Sequence, residues 1–327
     1  MKRSMRKWLA AAGCIAALGA MPGTAAADSY PSKPVKVVVP MAAGGAVDTL
    51  ARLLGNQLSE ALGKPVLVEN KPGANGSIGA DFVAKAQPDG YTLLIPDMGT
   101  LTVGPAVNTD LPFDSVRDFV PITMLITSPY GVAVHPGLPI HSMAELIAYA
   151  KANPGKLNYA HLGNGSASHL AGIDLASRAG VSWTYVPYKG GAQALPDVAA
   201  GNSHVLAIGM LSTIAFVKNN RLRLLAVSAS ERLSFLPEVP TVSESGYPGF
   251  IAALNSGLFA PKGTPKEVVE RLRADTHRIM ATPDMKKRLA EQATEVTLST
   301  PEELGRFVAD ERAKWTRVVK TSGVKVE

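Results

Sequence analysis

The chain has 327 residues, 46% of them hydrophobic, with 33 Lys and Arg against 27 Asp and Glu. The resulting charge of +6 makes no case for nucleic acid, because four of the basic residues and none of the acidic ones lie in the first 27 positions, leaving 29 against 27 beyond them. The single cysteine is Cys14, so disulfides and thiol catalysis are excluded past residue 27, and about 300 residues suffice for two lobes with separate cores.

Residues 1–27 read as an export signal. Lys2, Arg3, Arg6 and Lys7 form a basic head, an apolar stretch follows, and Ala25, Ala26 and Ala27 offer a small-residue cleavage site before Asp28. The apolar stretch is too short to span a bilayer. Cys14 within it reads as incidental to a cleaved peptide. Cleavage would leave an exported, soluble protein.

Residues 35–39 (VKVVV) contain four valines, the composition of a strand buried on both faces. Pro40 ends the run, and Ala42, Ala43, Gly44 and Gly45 form a loop with almost no side chain. From Asp48, apolar residues recur as Leu50, Leu53, Leu54, Leu58, Ala61 and Leu62, a helical spacing that stops at Gly63. A buried strand running through a stripped loop into a helix aims backbone N–H groups and a positive dipole end at whatever sits above it. The stretch is either an anion site or a tight turn with small residues for packing.

Further along, residues 65–69 (PVLVE) predict a strand, 77–86 a helix and 91–95 (YTLLI) a strand, which makes a parallel βαβαβ unit. The GANGSIGA stretch between them does not fit G-x-G-x-x-G, and no G-K-[ST] occurs, so a dinucleotide or nucleoside triphosphate cofactor is not expected. The apolar run 122–134, broken by Ser128 and Pro129, is long for one strand and predicts two that meet at a crossing point. A second α/β unit follows. It has helices over 143–152, from the GNGSASH stretch to Ala179, and over 191–200, with strands over 157–162, 181–188 and 204–208. Strands over 222–227 and 255–260 and helices over 266–281, 283–292 and 301–320 complete the chain. The simplest arrangement is two lobes joined by crossing segments near 120–130 and 224–258. Lobe 1 then comprises 28–127 and 226–327, and lobe 2 comprises 128–225.

Residues 163–169 (GNGSASH) repeat the logic of the first loop, now with hydroxyls. Ser166 or Ser168 with His169 offers a nucleophile and a base, but the surroundings do not fit G-x-S-x-G. Hydroxyls at such a position also cap helices. The six histidines include no i, i+4 pair, so no metal site is expected. Lys189, in a third strand-to-helix turn, is either a solvated charge or a contact at the rim of a cleft.

The combination PMAAGGAVD, VENKPGANGSIGADFVAKAQPDGYTLL, GSASHLAG, VPYKGGAQALPDV, VPTVSESGYPG and GLFAPKGTP, in this order, resembles the tripartite tricarboxylate transporter receptor family, also called the Bug family. The resemblance covers nearly all of the chain past residue 27. It implies a two-lobed α/β Venus-flytrap protein, each lobe a mainly parallel sheet flanked by helices, that binds a small organic carboxylate in the periplasm and delivers it to membrane permease subunits. By position it puts the carboxylate near Ala43, Gly44, Gly45 and Asp48 on one lobe and near Ser166, Ala167, Ser168 and His169 on the other. Two segments depart from the family pattern, at Gly209 and at Asn255. Both are expected to line the cleft, so the identity of the ligand does not transfer. A monomer without cofactor, metal or catalytic residues is expected; the alternatives are a secreted serine-dependent hydrolase and a ligand-sensing module without transport.

Overall fold

The computed structural model describes residues 30–322, so the export signal expected over residues 1–27 lies outside the described residues. The chain opens with β1 (Val35–Val39), α1 (Ala46–Leu62), β2 (Val66–Asn70), α2 (Ser77–Ala84) and β3 (Thr92–Leu94). Two short helices, α3 (Gly99–Thr102) and α4 (Gly104–Val107), lead to β4 (Phe119–Val134). Then come α5 (Met143–Ala152), β5 (Asn158–His161), α6 (Ala167–Ala179), β6 (Thr184–Pro187), α7 (Gly191–Ala200), β7 (Val205–Gly209), α8 (Met210–Lys218) and β8 (Arg223–Val227). The chain closes with β9 (Ala253–Pro261), α9 (Lys266–Met280), α10 (Pro283–Ala290), β10 (Glu295–Val296) and α11 (Pro301–Ser322).

Alternation along β1 builds a layer on each side of the first sheet. Val37 and Val39 pack with Leu50, Leu54 and Leu58 of α1. Val38, one residue out of phase, packs instead with Ala80 and Val83 of α2 and with Leu304 and Val308 of α11. Each fully buried leucine contributes about 1.5–3 kcal/mol. The second sheet repeats the device on β7, where Leu206 and Ile208 meet Ala194, Leu195 and Val198 of α7 while Val205 and Ala207 join the opposite cluster.

Both sheets are mixed. In the first, β2, β1 and β3 run parallel, and β9 joins β3 and β4 with antiparallel ladders. In the second, β6, β5 and β7 run parallel, and β4 lies antiparallel between β7 and β8.

The run expected to be two strands is one, the sixteen-residue β4. It belongs to both sheets: Ser128 and Pro129 pair with Leu254 and Ala253 of β9, whereas Tyr130 pairs with Gly209 of β7. The crossing predicted there is real, but the backbone stays extended through it. The return crossing is fastened to it. Tyr130 N–H donates to Ala252 O at 3.0 Å, and Ser228 N–H donates to Tyr130 O at 2.8 Å. Beside these, buried Ser128 Oγ accepts from Leu211 N–H at 3.0 Å and from Thr294 Oγ1 at 3.0 Å.

Sequence patterns miss α8, because its apolar residues (MLSTIAFVK) follow β7 without a polar break. The two-residue β10, paired to Ile126 and Thr127, is also too short to read.

Candidate functional site

The carboxyl ends of β1, β3, β5, β6 and β7 all open toward the space between the sheets, the place where open α/β sheets take their ligands. A cavity of about 40 Å³ lies there. Met41, Gly45 and Val47 line it from the first sheet, Gly190, Gly209 and Ser212 from the second, and Tyr130 and Leu254 from the crossing strands. The two sides touch around it: a Cβ at Gly190 would lie 3.5 Å from that of Ala42, and one at Gly44 would lie 3.7 Å from that of Ala192.

Three helices begin at this cavity. Their N-cap residues are Gly45 for α1, Gly190 for α7 and Gly209 for α8, and none supplies a side-chain cap. By contrast, α5, α6 and α10, which begin at Ser142, Ser166 and Thr282, are each capped by their own hydroxyl. The first N–H groups of a helix have no partner within it, and the helix dipole places about half a positive charge there. Leu211 N–H of α8 is taken by Ser128 Oγ, and the remaining N–H groups of the three ends could hold an anion by backbone alone. Among the described residues, no Lys, Arg or His lines the cavity. Lys189 stands farther out, on a cleft of about 730 Å³ that it shares with Asn75, Asn164 and Gln193.

Of the residues expected on the first lobe, Gly45 lines the cavity. Ala43 and Gly44 sit on the exposed loop beside it. Gly44 has φ of 79°, a conformation that favours glycine. Asp48 is buried and does not line the cavity. Its Oδ2 accepts from Gly44 N–H at 2.8 Å and from Arg52 Nε at 3.0 Å, and its Oδ1 accepts from Asn70 Nδ2 at 2.9 Å. Burial pushes its carboxyl up, but Arg52, Gly44 and Asn70 together hold it below the usual carboxylate range. Asp48 shapes the loop.

The expected second-lobe group sits beside the main cavity. Ser166, Ala167 and Ser168 line an adjoining space of about 10 Å³. Ser166 Oγ accepts from His169 N–H at 3.2 Å and lies 3.0 Å from Ser168 Oγ, which in turn accepts from Leu162 N–H at 2.9 Å. His169 Nδ1 accepts from Gly165 N–H at 3.1 Å, and its ring stacks on His161 at 4.2 Å. Burial, then the neighbouring His161, lowers the His169 pKa to about 4. Its Nδ1 is thus directed at the backbone, and the hydroxyls act as cap and loop support.

On the distal side, Gly209 lines the cavity as expected, and a Cβ there would lie 2.9 Å from Leu254 Cβ. Asn255, also expected, does not. Successive residues on a strand face opposite ways. Leu254 enters the cavity, while Asn255 Oδ1 turns to accept from Thr127 Oγ1 at 2.8 Å.

Sequence reasoning did not name Asp97, Tyr130, Ser212 or Leu254 as site residues, and at the Gly190 turn it weighed only Lys189, as a solvated charge or a rim contact. Asp97 lines both cavities, and its Oδ1 accepts from Gly99 N–H at 2.8 Å. Burial raises its pKa to about 6, against the opposing pull of that N–H. No periodicity marks residues 96–117. The Gly190-Gly191 pair ahead of a helix was the signal available for the third loop.

Residues 50–324 match the family described as tripartite tricarboxylate transporter family receptor. Over 325 residues the chain is 33% identical to Protein BugT of Bordetella pertussis, covering 99% of this chain and 100% of that one. Its structure is similar to that of an R. palustris protein with adipate, at TM-score 0.87 and 34% identity over 90% of this chain and 98% of that one. MatC from Rhodopseudomonas palustris with bound malate is similar at TM-score 0.84 and 32% identity, over 89% of this chain and 100% of that one. Among the described residues no helix is long and apolar enough to cross a membrane.

Proposed function

The chain belongs to the tripartite tricarboxylate transporter receptor family, and on that premise we propose that it is a periplasmic receptor that binds a small organic carboxylate between its lobes and hands it to the membrane subunits of such a transporter. One observation carries the reading: α1 from one lobe and α7 and α8 from the other begin at a single cavity, capped by glycine backbone and lined by no cation. A carboxylate suits such a site, since oriented N–H groups stabilise it without a counter-ion. The bound acids of the two similar structures, adipate and malate, support the same class.

Lobe 1 carries the first sheet and lobe 2 the second, with the hinge where the crossing strands meet, at the hydrogen bonds among Tyr130, Ser228 and Ala252. Neither lobe completes the site alone. The ligand therefore favours the closed arrangement, and the membrane subunits recognise the closed form. The receptor works as a monomer and catalyses no reaction. The hydroxyls of Ser166 and Ser168 and the Nδ1 of His169 have structural duties that a hydrolase would need them free of.

Mass spectrometry of the denatured protein, purified without added ligand, identifies what it carries. A small carboxylic acid at near one equivalent is expected. A neutral sugar in its place, or hydrolytic turnover of an ester, would sink the reading.

A further inference from the structure

Helix α2 buries its smaller residues, Gly79, Ala80 and Val83, and leaves its two largest apolar side chains, Ile78 and Phe82, 55% and 40% exposed. A surface helix ordinarily turns its large apolar residues inward and its polar ones out. The smaller residues let α2 sit close on the first sheet: Ala80 and Val83 pack with Val38 of β1, and a Cβ at Gly79 would lie 2.8 Å from Pro40 Cβ. Packing therefore accounts for the buried face of α2 and not for the exposed one.

Four residues apart, Ile78 and Phe82 share one face of the helix. Beside them β2, the end strand of its sheet, presents Leu67, which is 56% exposed. The register partner of Leu67 on β1 is Lys36, whose Nζ stands 5.6 Å from the centre of the Phe82 ring. Lys71 Nζ stands over the same ring at 4.3 Å. Both ammonium groups also meet Glu69, at 2.6 and 2.7 Å, and Glu69 shares a face of β2 with Leu67. The outcome is an apolar surface with two cations and one anion at its edge. Single exposed apolar residues need no explanation, whereas a contiguous patch rimmed by polar groups marks a contact surface.

The patch adjoins the mouth of the cleft. Residues 73–77, which lead into α2, line the cleft of about 730 Å³, and a Cβ at Gly73 would lie 2.6 Å from Ile78 Cδ1. A protein that takes the ligand from the cleft has to sit at that mouth, next to Ile78. Two ammonium groups against one carboxylate favour a partner with acidic side chains beside its apolar contacts. We propose that Leu67, Ile78 and Phe82 form the surface by which this receptor docks on the membrane subunits of its transporter, against an apolar segment flanked by Asp or Glu. This rests on the delivery reading above and supplies the surface for it.

Co-sedimentation of fluorescently labelled mature receptor with membrane vesicles tests the proposal. The vesicles are right-side-out inner membranes of the source bacterium, with and without the genes for the membrane subunits, and vesicles of phosphatidylethanolamine with phosphatidylglycerol. The wild type binds vesicles that carry the subunits at least tenfold more tightly than vesicles that lack them. Ile78→Ser and Phe82→Ser together abolish most of that difference, and Leu67→Ser or Lys71→Glu alone lowers it at least threefold. These side chains lie at the surface, so the variants keep the wild-type melting temperature; should the double variant lose it, Leu67→Ser and Lys71→Glu carry the test. Subunit-dependent binding that the variants leave unchanged would overturn the surface and leave delivery standing. Equal binding to phospholipid alone, lost in the variants, would make the patch a lipid surface. A concentration-dependent dimer in ultracentrifugation, abolished by Phe82→Ser, would make it a contact between copies. Either result overturns the proposal. If the wild type binds vesicles with and without the subunits alike, delivery to them falls as well, while the carboxylate reading stands or falls on the mass spectrometry above.

Discussion

Asp48 Oδ2 accepts the N–H of Gly44 at 2.8 Å across the turn that leads from β1 into α1. With Arg52 and Asn70 on the same carboxylate, this contact sets the path of the loop whose end, Gly45, meets the cavity. Asp48→Ala removes the acceptor from three donors at once. We expect a loss of about 1–3 kcal/mol in urea unfolding, together with weaker ligand binding. Asp48→Asn, which keeps one acceptor oxygen, should retain more of both.

Glycine substitutions separate the loop from the cavity. Gly44→Val forces a branched side chain onto a backbone at φ 79°, so the melting temperature should fall along with affinity. Gly45 has φ of −82°, which any residue tolerates, so Gly45→Val should fold normally and lose binding by filling the cavity. Gly209→Ala places a methyl 2.9 Å from Leu254 Cβ and should lower affinity at least tenfold. Scanning calorimetry and titration on the three variants check this pattern.

Ser168 is predicted to matter for folding more than for the ligand. Its hydroxyl accepts Leu162 N–H inside the protein, so Ser168→Ala leaves a buried donor without its partner, at about 1–3 kcal/mol. The urea midpoint should drop while affinity changes less than threefold.

The pH dependence of ligand-free stability has two opposed parts. Asp97, raised by burial to a pKa of about 6, binds its proton more tightly folded than unfolded. Stability is therefore lost as pH rises from about 4 through 6, by at most about 3 kcal/mol. His169, lowered to about 4, does the opposite, and its contribution is lost as pH falls from about 6.5 toward 4. Urea titrations at pH 4.5 and 8 should find Asp97→Asn stabilised relative to wild type only at pH 8. His169→Gln should lose less than wild type on acidification.

The parts of this fold that lie in local pattern were readable. Four valines in β1 announced a strand covered on both sides, and the spacing from Leu50 to Leu62 gave α1 up to its Gly63 cap. The crossing at Ser128 and Pro129 showed as a break in an apolar run, although the strand itself continues through it. The site was harder because it is assembled from distant segments. Asp97 becomes conspicuous only when β3 sets it against Tyr130 and Leu162. The choice between Leu254 and Asn255 is a matter of strand parity, which a shift of one residue reverses. Gly209 was expected to line the cleft, but the helix that starts there was hidden because α8 continues the apolar character of β7.

The central claim is that backbone N–H groups at the starts of α1, α7 and α8 hold a carboxylate without a fixed cation. A thermal-shift panel on the mature protein tests it most directly, using propionate, butyrate, succinate, malate and adipate, each paired with its primary amide. A ligand confined to the folded state at a hundredfold excess over its dissociation constant contributes about 2.7 kcal/mol, a rise of several degrees. We predict that at least one acid produces this rise, that its amide does not, and that Lys189→Ala leaves the shift intact. An amide that shifts the melt as far as its acid, or loss of the shift in Lys189→Ala, would contradict the account.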